Sequence, residues 1–511
     1  MIKTITRSPL WLIIITFVLR FLFLSRKCFW LDEAFSYEVC LGLRYDDTTP
    51  RLFYQLANPF LRLPFSMEFN GRLLPAIFGI LTVIVIYFIG LKLVSQKYAL
   101  IVGLLAAFNP ILIILSQDMR AYGLAALLTS LLFLAFINIV KISADNHSKK
   151  NSLADNIYLW YLIFILAGTI GLYAHYIIIP ILLIMVLLFL FIILHRIIGR
   201  KELVKFILAN VAIGLLFLPY IAEFFKRISI RLDKSADVFY SIYSLKTILR
   251  SLWGFNLGYI FKMSWLTNPQ ALIGHPLQAL LFAASIILFI FFAAIIWKSL
   301  KSKSVLSLMV LAYTLLAIMH LFIALSDYRQ IFAILIPYIL ILGYAYYQSD
   351  GWKRYLMLVS FIICFSGGLF WYYSLPYSPL YPADFKSAAK YVENNLREDE
   401  VVYAFMTDLQ YLTFDRYCNA DILTVDDRVK LYHTSPNSLK RRETMAQLHL
   451  KHFASLKILM EKYPRVLVVI VSDNIAREVY QELKKYKEIS IKSFGPYLTI
   501  FELTAYEATP S

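Results

Sequence analysis

The chain has 511 residues, 60% of them hydrophobic, with a mean hydropathy of +0.66 and a formal net charge of +17. A soluble chain would have to hide that surface in cores that stop growing near about 250–300 residues, so the composition excludes an ordinary soluble protein and makes the bilayer its solvent. Many Lys and Arg sit between apolar runs, and no basic module interleaved with aromatics accompanies them, which excludes nucleic acid as a partner.

Apolar runs of about 20 residues, the length a helix needs to cross a bilayer, begin with 9–24. No small-residue cleavage site follows it, so it reads as an uncleaved first span. A polar-aromatic loop, about 25–71, comes next. Further runs lie near 73–91, 99–115, 121–140, 157–173, 175–194 and 203–222. After a second long loop, about 223–275, they resume at 276–297, 305–325, 328–347 and 355–373. The expected fold is a polytopic α-helical membrane protein of about eleven transmembrane helices. Lys3 and Arg7, Lys92 and Lys97, Lys141, Arg200 and Lys201, Lys298, and Lys353 with Arg354 all fall on one side. The positive-inside rule puts that side, with the N-terminus, in the cytoplasm, and both long loops outside.

Residues 376–511 differ in kind. An amphipathic helix over 384–392, strands at 400–405, 466–471, 488–493 and 497–503, and helices near 437–462 and 474–486 predict a small extracytoplasmic α/β domain. The chain divides on this reading into a membrane domain, 1–375, and that terminal domain. Cys28, Cys40, Cys364 and Cys418 are too few and too scattered for a disulfide framework.

In such a protein the informative residues are ionisable groups at span ends, because a charge inside a span costs about 2.5–3.5 kcal/mol on insertion scales. Asp32 and Glu33 follow the first span, flanked by Trp30, Leu31, Ala34 and Phe35. A carboxylate held there could take a proton from an attacking hydroxyl; two solvated loop carboxylates are the plainer alternative. Asp118 lies in the external turn Ser116-Gln117-Asp118-Met119-Arg120-Ala121-Tyr122, either a compact polar site or an ordinary turn with an Asp–Arg pair. Arg72 opens the second span, where it could bind phosphate through its fixed fork of donors or simply snorkel. Asp327 and Arg329 stand in another external turn. His175, with carboxylates, could hold a divalent cation, but no HExxH-type spacing supports this, and a histidine bonded to backbone is the plainer reading. The absence of Walker A, GxGxxG and GxSxG patterns argues against a nucleotide cofactor.

Taken together, Leu31-Asp32-Glu33-Ala34 after span one, Gly71-Arg72-Leu73-Leu74-Pro75-Ala76-Ile77-Phe78-Gly79 opening span two, and Ser116-Gln117-Asp118-Met119-Arg120-Ala121-Tyr122 resemble the GT-C membrane glycosyltransferases. More narrowly, the order is similar to the bacterial branch related to protein O-mannosyltransferases and lipid A aminoarabinose transferases. Asp327-Tyr328-Arg329-Gln330 is similar to the Arg-Tyr span start of that branch with the two residues exchanged, and the terminal domain resembles the external domain of these proteins. The resemblance implies an inner-membrane enzyme that takes a sugar from a polyprenyl-phosphate donor and transfers it, with inversion, to an extracytoplasmic acceptor that is lipid, glycan or protein. It implies Asp32 as the base, Glu33 as its support or a metal ligand, Asp118 as a second acid, and Arg72, Arg120 and Arg329 as phosphate binders. A divalent metal is needed by some relatives and not by others; its candidate ligands are Glu33 and His175. A flippase for lipid-linked sugars would instead put charges along a pathway inside the spans, and a polymerase or ligase would lean on external-loop arginine and histidine.

Overall fold

Lipid cannot hydrogen-bond a backbone, so each apolar run satisfies its own amides by becoming a helix. The computed structural model describes residues 7–43, 49–144, 156–194, 198–227, 253–258, 275–300, 310–316, 332–397, 400–406, 408–419, 422–423, 456–471, 483 and 487–504. In chain order the helices are α1 (Arg7–Phe21), α2 (Leu31–Cys40), α3 (Leu52–Ala57), α4 (Met67–Leu93), α5 (Gln96–Phe108), α6 (Pro110–Ser116) and α7 (Tyr122–Ala144). They continue with α8 (Ile157–Ala174), α9 (Ile178–Leu194), α10 (Arg200–Phe217), α11 (Pro276–Leu300), α12 (Phe332–Gln348), α13 (Gly351–Ser374), α14 (Phe385–Asn395) and α15 (Asp408–Asp415). Two compact units result. One holds the described residues of Met1–Leu24, Asp47–Ile230 and Ser241–Ser374, the other those of Ser25–Asp46 and Leu375–Ser511.

In the membrane unit, six helices among the described residues are long and apolar enough to cross a bilayer, from Met67–Leu93 to Gly351–Ser374. Three shorter apolar helices and one bent pair accompany them. Most of the expected run 305–325, except 310–316, and most of the loop 223–275 lie outside the described residues. Helix α7 is central, with 94% of its spanning window buried, against 22% for the span Lys201–Arg227. The bend of 61° separates α5 from α6. It falls where Pro110 denies the helix an amide and holds Asn109 extended at ψ 120°. The Asn109 side chain then caps α6 by accepting from the Leu112 amide at 3.1 Å, and donates to the Phe255 carbonyl at 2.8 Å.

The expected loop 25–71 is a correction. It carries α2, α3 and a 3-10 turn, Asn58–Arg62, and α4 starts at Met67, before its apolar run begins. Ser66 caps α4 by accepting from the Phe69 amide at 3.3 Å, and Glu68 occupies its first turn, so polar residues form the helix end that hydropathy overlooks.

The C-terminal unit holds a five-stranded sheet of order β2-β1-β3-β5-β4. Its strands are β1 (Val401–Phe405), β2 (Ile422–Leu423), β3 (Val466–Val471), β4 (Lys487–Ser493) and β5 (Leu498–Thr504). β1 pairs in parallel with β2 and β3, and β5 runs antiparallel to β3 and β4. All of β3 is buried, as a strand covered on both faces requires. Leu467, Val469 and Val471 join a core with Phe385, Ala388, Ala389 and Val392 of α14, while Val466, Val468 and Ile470 pack with Leu456 and Met460. Trp30, just before α2, is buried in the first of these cores.

Candidate functional site

A helix leaves its last carbonyls without partners, and at the end of α1 that need gathers the polar residues of two distant turns. The chain turns there through Phe23, at φ 55°. The Gln117 amide donates to the carbonyls of Leu19 at 3.4 Å, Arg20 at 2.8 Å and Leu22 at 3.1 Å. Its oxygen accepts from the Tyr372 hydroxyl at 3.0 Å, and the Tyr373 hydroxyl donates to the same Leu19 carbonyl. Arg72, 2% exposed, donates to the Leu24 carbonyl at 3.0 Å. Arg20, inside α1 and fully buried, donates to the Ala106 carbonyl at 3.1 Å and to that of Ala107, meeting the orphan carbonyls that the break at Asn109 leaves on α5. Sequence reading passed over Arg20, although a cation inside an apolar run is signal enough.

Asp118 and Arg120 stand in the turn after α6. Asp118 is 2% exposed, and its carbonyl accepts from the Arg120 amide at 2.7 Å. Arg120 is half-buried and donates to the Tyr54 hydroxyl at 3.2 Å. Tyr122 packs its ring on His175, with centroids 5.3 Å apart. His175 ends α8, and its Nδ1 accepts from the Ile177 amide at 3.1 Å. On the membrane unit, Tyr54, Arg120 and Asp118 are thereby linked, as are Tyr122 and His175. Nearby in sequence to Tyr54, the Thr49 carbonyl accepts from buried Arg227 at 3.0 Å, and Arg227 also pairs with Glu223 at 2.7 Å.

Asp32 and Glu33 belong to the other unit, in the first turn of α2, where carboxylates suit the positive end of a helix. Glu33 is 1% exposed and accepts from the Trp30 amide at 3.4 Å, so it closes the end of its own helix. Asp32 is half-buried, and its carbonyl accepts from the Ser36 hydroxyl at 2.7 Å. Glu38 pairs with Arg416, whose guanidinium lies 5.1 Å from the Tyr37 ring centroid. The Phe29 amide donates to the Tyr417 hydroxyl at 2.7 Å. All four cysteines are free and buried, and burial pushes the Cys40 thiol up to about 12.

Among the described residues no group of three or more His, Cys, Asp or Glu side chains comes together to hold a metal ion. Glu33 and His175 fall in different units, each engaged with its own helix end. Arg329, with Asp327, lies outside the described residues.

No family model and no curated protein sequence matches the chain. Among solved structures it is similar to ArnT from Cupriavidus metallidurans in the apo state, with TM-score 0.60 and 11% identity over 99% of this chain and 100% of that one. The likeness extends to ArnT bound to undecaprenyl phosphate, with TM-score 0.57 and 12% identity over 98% and 99%. A third neighbour is the archaeal oligosaccharyltransferase AglB from Archaeoglobus fulgidus, in complex with an inhibitory peptide and a dolichol-phosphate. There the TM-score is 0.52 and the identity 12%, over 96% of this chain and 73% of that one. A structure of that oligosaccharyltransferase with Zn and sulfate matches equally, at TM-score 0.52. At such identities the likeness is one of fold alone.

Proposed function

We propose that this chain is a membrane glycosyltransferase that moves a sugar from a polyprenyl-phosphate donor to a hydroxyl of an extracytoplasmic acceptor, with inversion at the anomeric carbon. The supporting observation is the full-length likeness to ArnT, one structure of which holds undecaprenyl phosphate. We also read the protein as lying in the inner membrane, with a cytoplasmic N-terminus and the C-terminal domain outside.

In this mechanism the acceptor oxygen attacks the anomeric carbon, the bond from that carbon to the phosphate oxygen breaks, and the hydroxyl proton passes to the Asp32 carboxylate. Asp32 suits the role better than Glu33, because Asp32 is half-buried whereas Glu33 is enclosed and bonded to the Trp30 amide. The departing lipid phosphate gains negative charge, which fixed cationic donors stabilise as it forms. Half-buried Arg120 takes that part, oriented by its bond to Tyr54. Arg72, which holds the end of α1 through the Leu24 carbonyl, and Arg329 are further candidates. Asp118 orients donor or acceptor.

Purified protein in nanodiscs is supplied with radiolabelled undecaprenyl-phosphate sugars and native membrane extract. Label should move to an acceptor with the wild type, and Asp32→Asn should slow it about 10²–10⁴-fold, the usual worth of a general base. Labelled lipid that changes leaflets with no transfer from any donor would replace the enzyme with a flippase.

A further inference from the structure

We propose that Arg416, in the turn after α15 of the C-terminal domain, is a positioning residue that sets the catalytic placement of Asp32. The role rests on Asp32 being the general base, as proposed above. Helix α2 has ten residues, and Trp30 at its N-cap provides no side-chain hydrogen bond. Isolated helices shorter than about 12–15 residues are marginal in water, so the position of α2 comes from what it docks on. That support is α15 and the turn following it.

Two consecutive residues of this turn grip α2 at two places. Tyr417 accepts from the Phe29 amide at 2.7 Å, just ahead of the helix. Arg416 pairs with Glu38 and covers the Tyr37 ring at 5.1 Å, and the Phe29 and Tyr37 rings lie 5.8 Å apart between the two grips. Glu38 is only 6% exposed, so its carboxylate needs the cation; stripped of one partner, a buried ion pair becomes an uncompensated charge. The helix would then turn or unwind to bring Glu38 to water. Asp32 lies six residues earlier on the same rigid element, about 9 Å along its axis at 1.5 Å per residue. Displacements of about 1 Å at a reacting group can cost about 100-fold in rate. Arg416 therefore acts through Glu38, and the terminal domain becomes part of the catalytic apparatus as the mount of its general base.

The full-length protein in nanodiscs, with radiolabelled undecaprenyl-phosphate sugars as donor and native membrane extract as acceptor source, tests this in two readouts. Arg416→Gln should lower kcat about 10–100-fold with donor KM within about 2-fold, and should speed amide hydrogen exchange across 31–40. Arg416→Lys should recover most of the rate, because an ammonium still meets Glu38. The double variant Arg416→Gln with Glu38→Gln, which removes the buried charge, should recover part of it and keeps the test alive if the single variant does not fold. Unchanged kcat in Arg416→Gln, or a fall caused by KM alone, overturns the proposal. Transfer that survives Asp32→Asn removes the base assignment, a failure separate from Arg416→Gln behaving as wild type while Asp32→Asn is inactive.

Discussion

Tyr372 donates its hydroxyl hydrogen to the side-chain oxygen of Gln117 across 3.0 Å, and this fixes which way the amide faces. With the oxygen taken, the nitrogen must point at the carbonyls of Leu19, Arg20 and Leu22. Gln117→Glu would set a carboxylate oxygen against them in a buried site. The expected loss is about 2–3 kcal/mol, the scale of an unsatisfied buried group, whereas Tyr372→Phe should cost about 1 kcal/mol. Thermal unfolding in detergent should rank the two in that order; equal effects would mean that the amide orientation does not matter.

A methyl group on Gly79 would run into the Ser116 side chain, whose Cβ it would meet at 2.5 Å, with the Arg20 Cγ at 3.5 Å. Helices α4 and α6 meet there, so Gly79→Ala should reduce the yield of monodisperse protein and lower its melting temperature. Ser116→Gly alone should be mild, and added to Gly79→Ala it should restore much of the loss. Absence of rescue would place the damage elsewhere.

Arg465 joins two carboxylates, bonding both oxygens of Glu400 at 2.8 and 2.9 Å and Glu502 at 2.6 Å, while the Tyr391 hydroxyl donates to Glu502 at 2.5 Å. Burial alone would raise the Glu502 carboxyl, but the bonds from Tyr391 and Arg465 outweigh it and hold the group below the usual carboxylate range. The folded domain thus binds this proton less readily than the unfolded chain. The stabilisation is complete above the unfolded value of about 4.3 and is lost as pH falls through the lower folded one. Protection of the β3 amides in the full-length protein, corrected for the intrinsic exchange rate at each pH, should fall on acidification toward pH 3, and Glu502→Gln should flatten that dependence. Arg465→Met should cost about 3–5 kcal/mol, as expected when one partner of a buried pair is removed.

On the proposed reading, Arg120 stabilises the departing lipid phosphate. Arg120→Ala should lower kcat for sugar transfer about 10²–10³-fold, the worth of one fixed donor to a developing charge, and Arg120→Lys should recover only part of it, since an ammonium lacks the planar fork. Tyr54→Phe, which removes only the orienting hydroxyl, should cost much less. A Tyr54→Phe effect as large as that of Arg120→Ala would move the chemistry from the guanidinium to the phenol.

Periodicity and length disclosed nearly every described span, because an apolar run bounded by charges has few other folds open to it. The turn from Ser116 to Tyr122 was likewise legible, as was α14, whose Asp384 caps it by accepting from the Ser387 amide at 3.1 Å. Helix α2 was not: Leu31-Asp32-Glu33-Ala34-Phe35-Ser36 lacks a cap and a long apolar stripe, and it is held by residues almost four hundred positions away, which no local pattern encodes. For the same reason Gln117 read as part of a polar turn, although its partners Leu19 and Tyr372 make it the closure of α1. Helix α15 and the two-residue strand β2 are too short to carry a period.

The segment Ser25–Asp46 groups with residues that begin at Leu375, so the ribosome makes roughly 330 residues between the two parts of that unit. At about 5–20 residues per second, the seat for α2 arrives on the order of 20–70 s after the helix itself. Until α15 and the turn after it are made, helix α2 lacks the support that Arg416 and Tyr417 give it. On the proposed reading, a partly made chain can therefore hold its membrane helices before the residue proposed as its base has been placed.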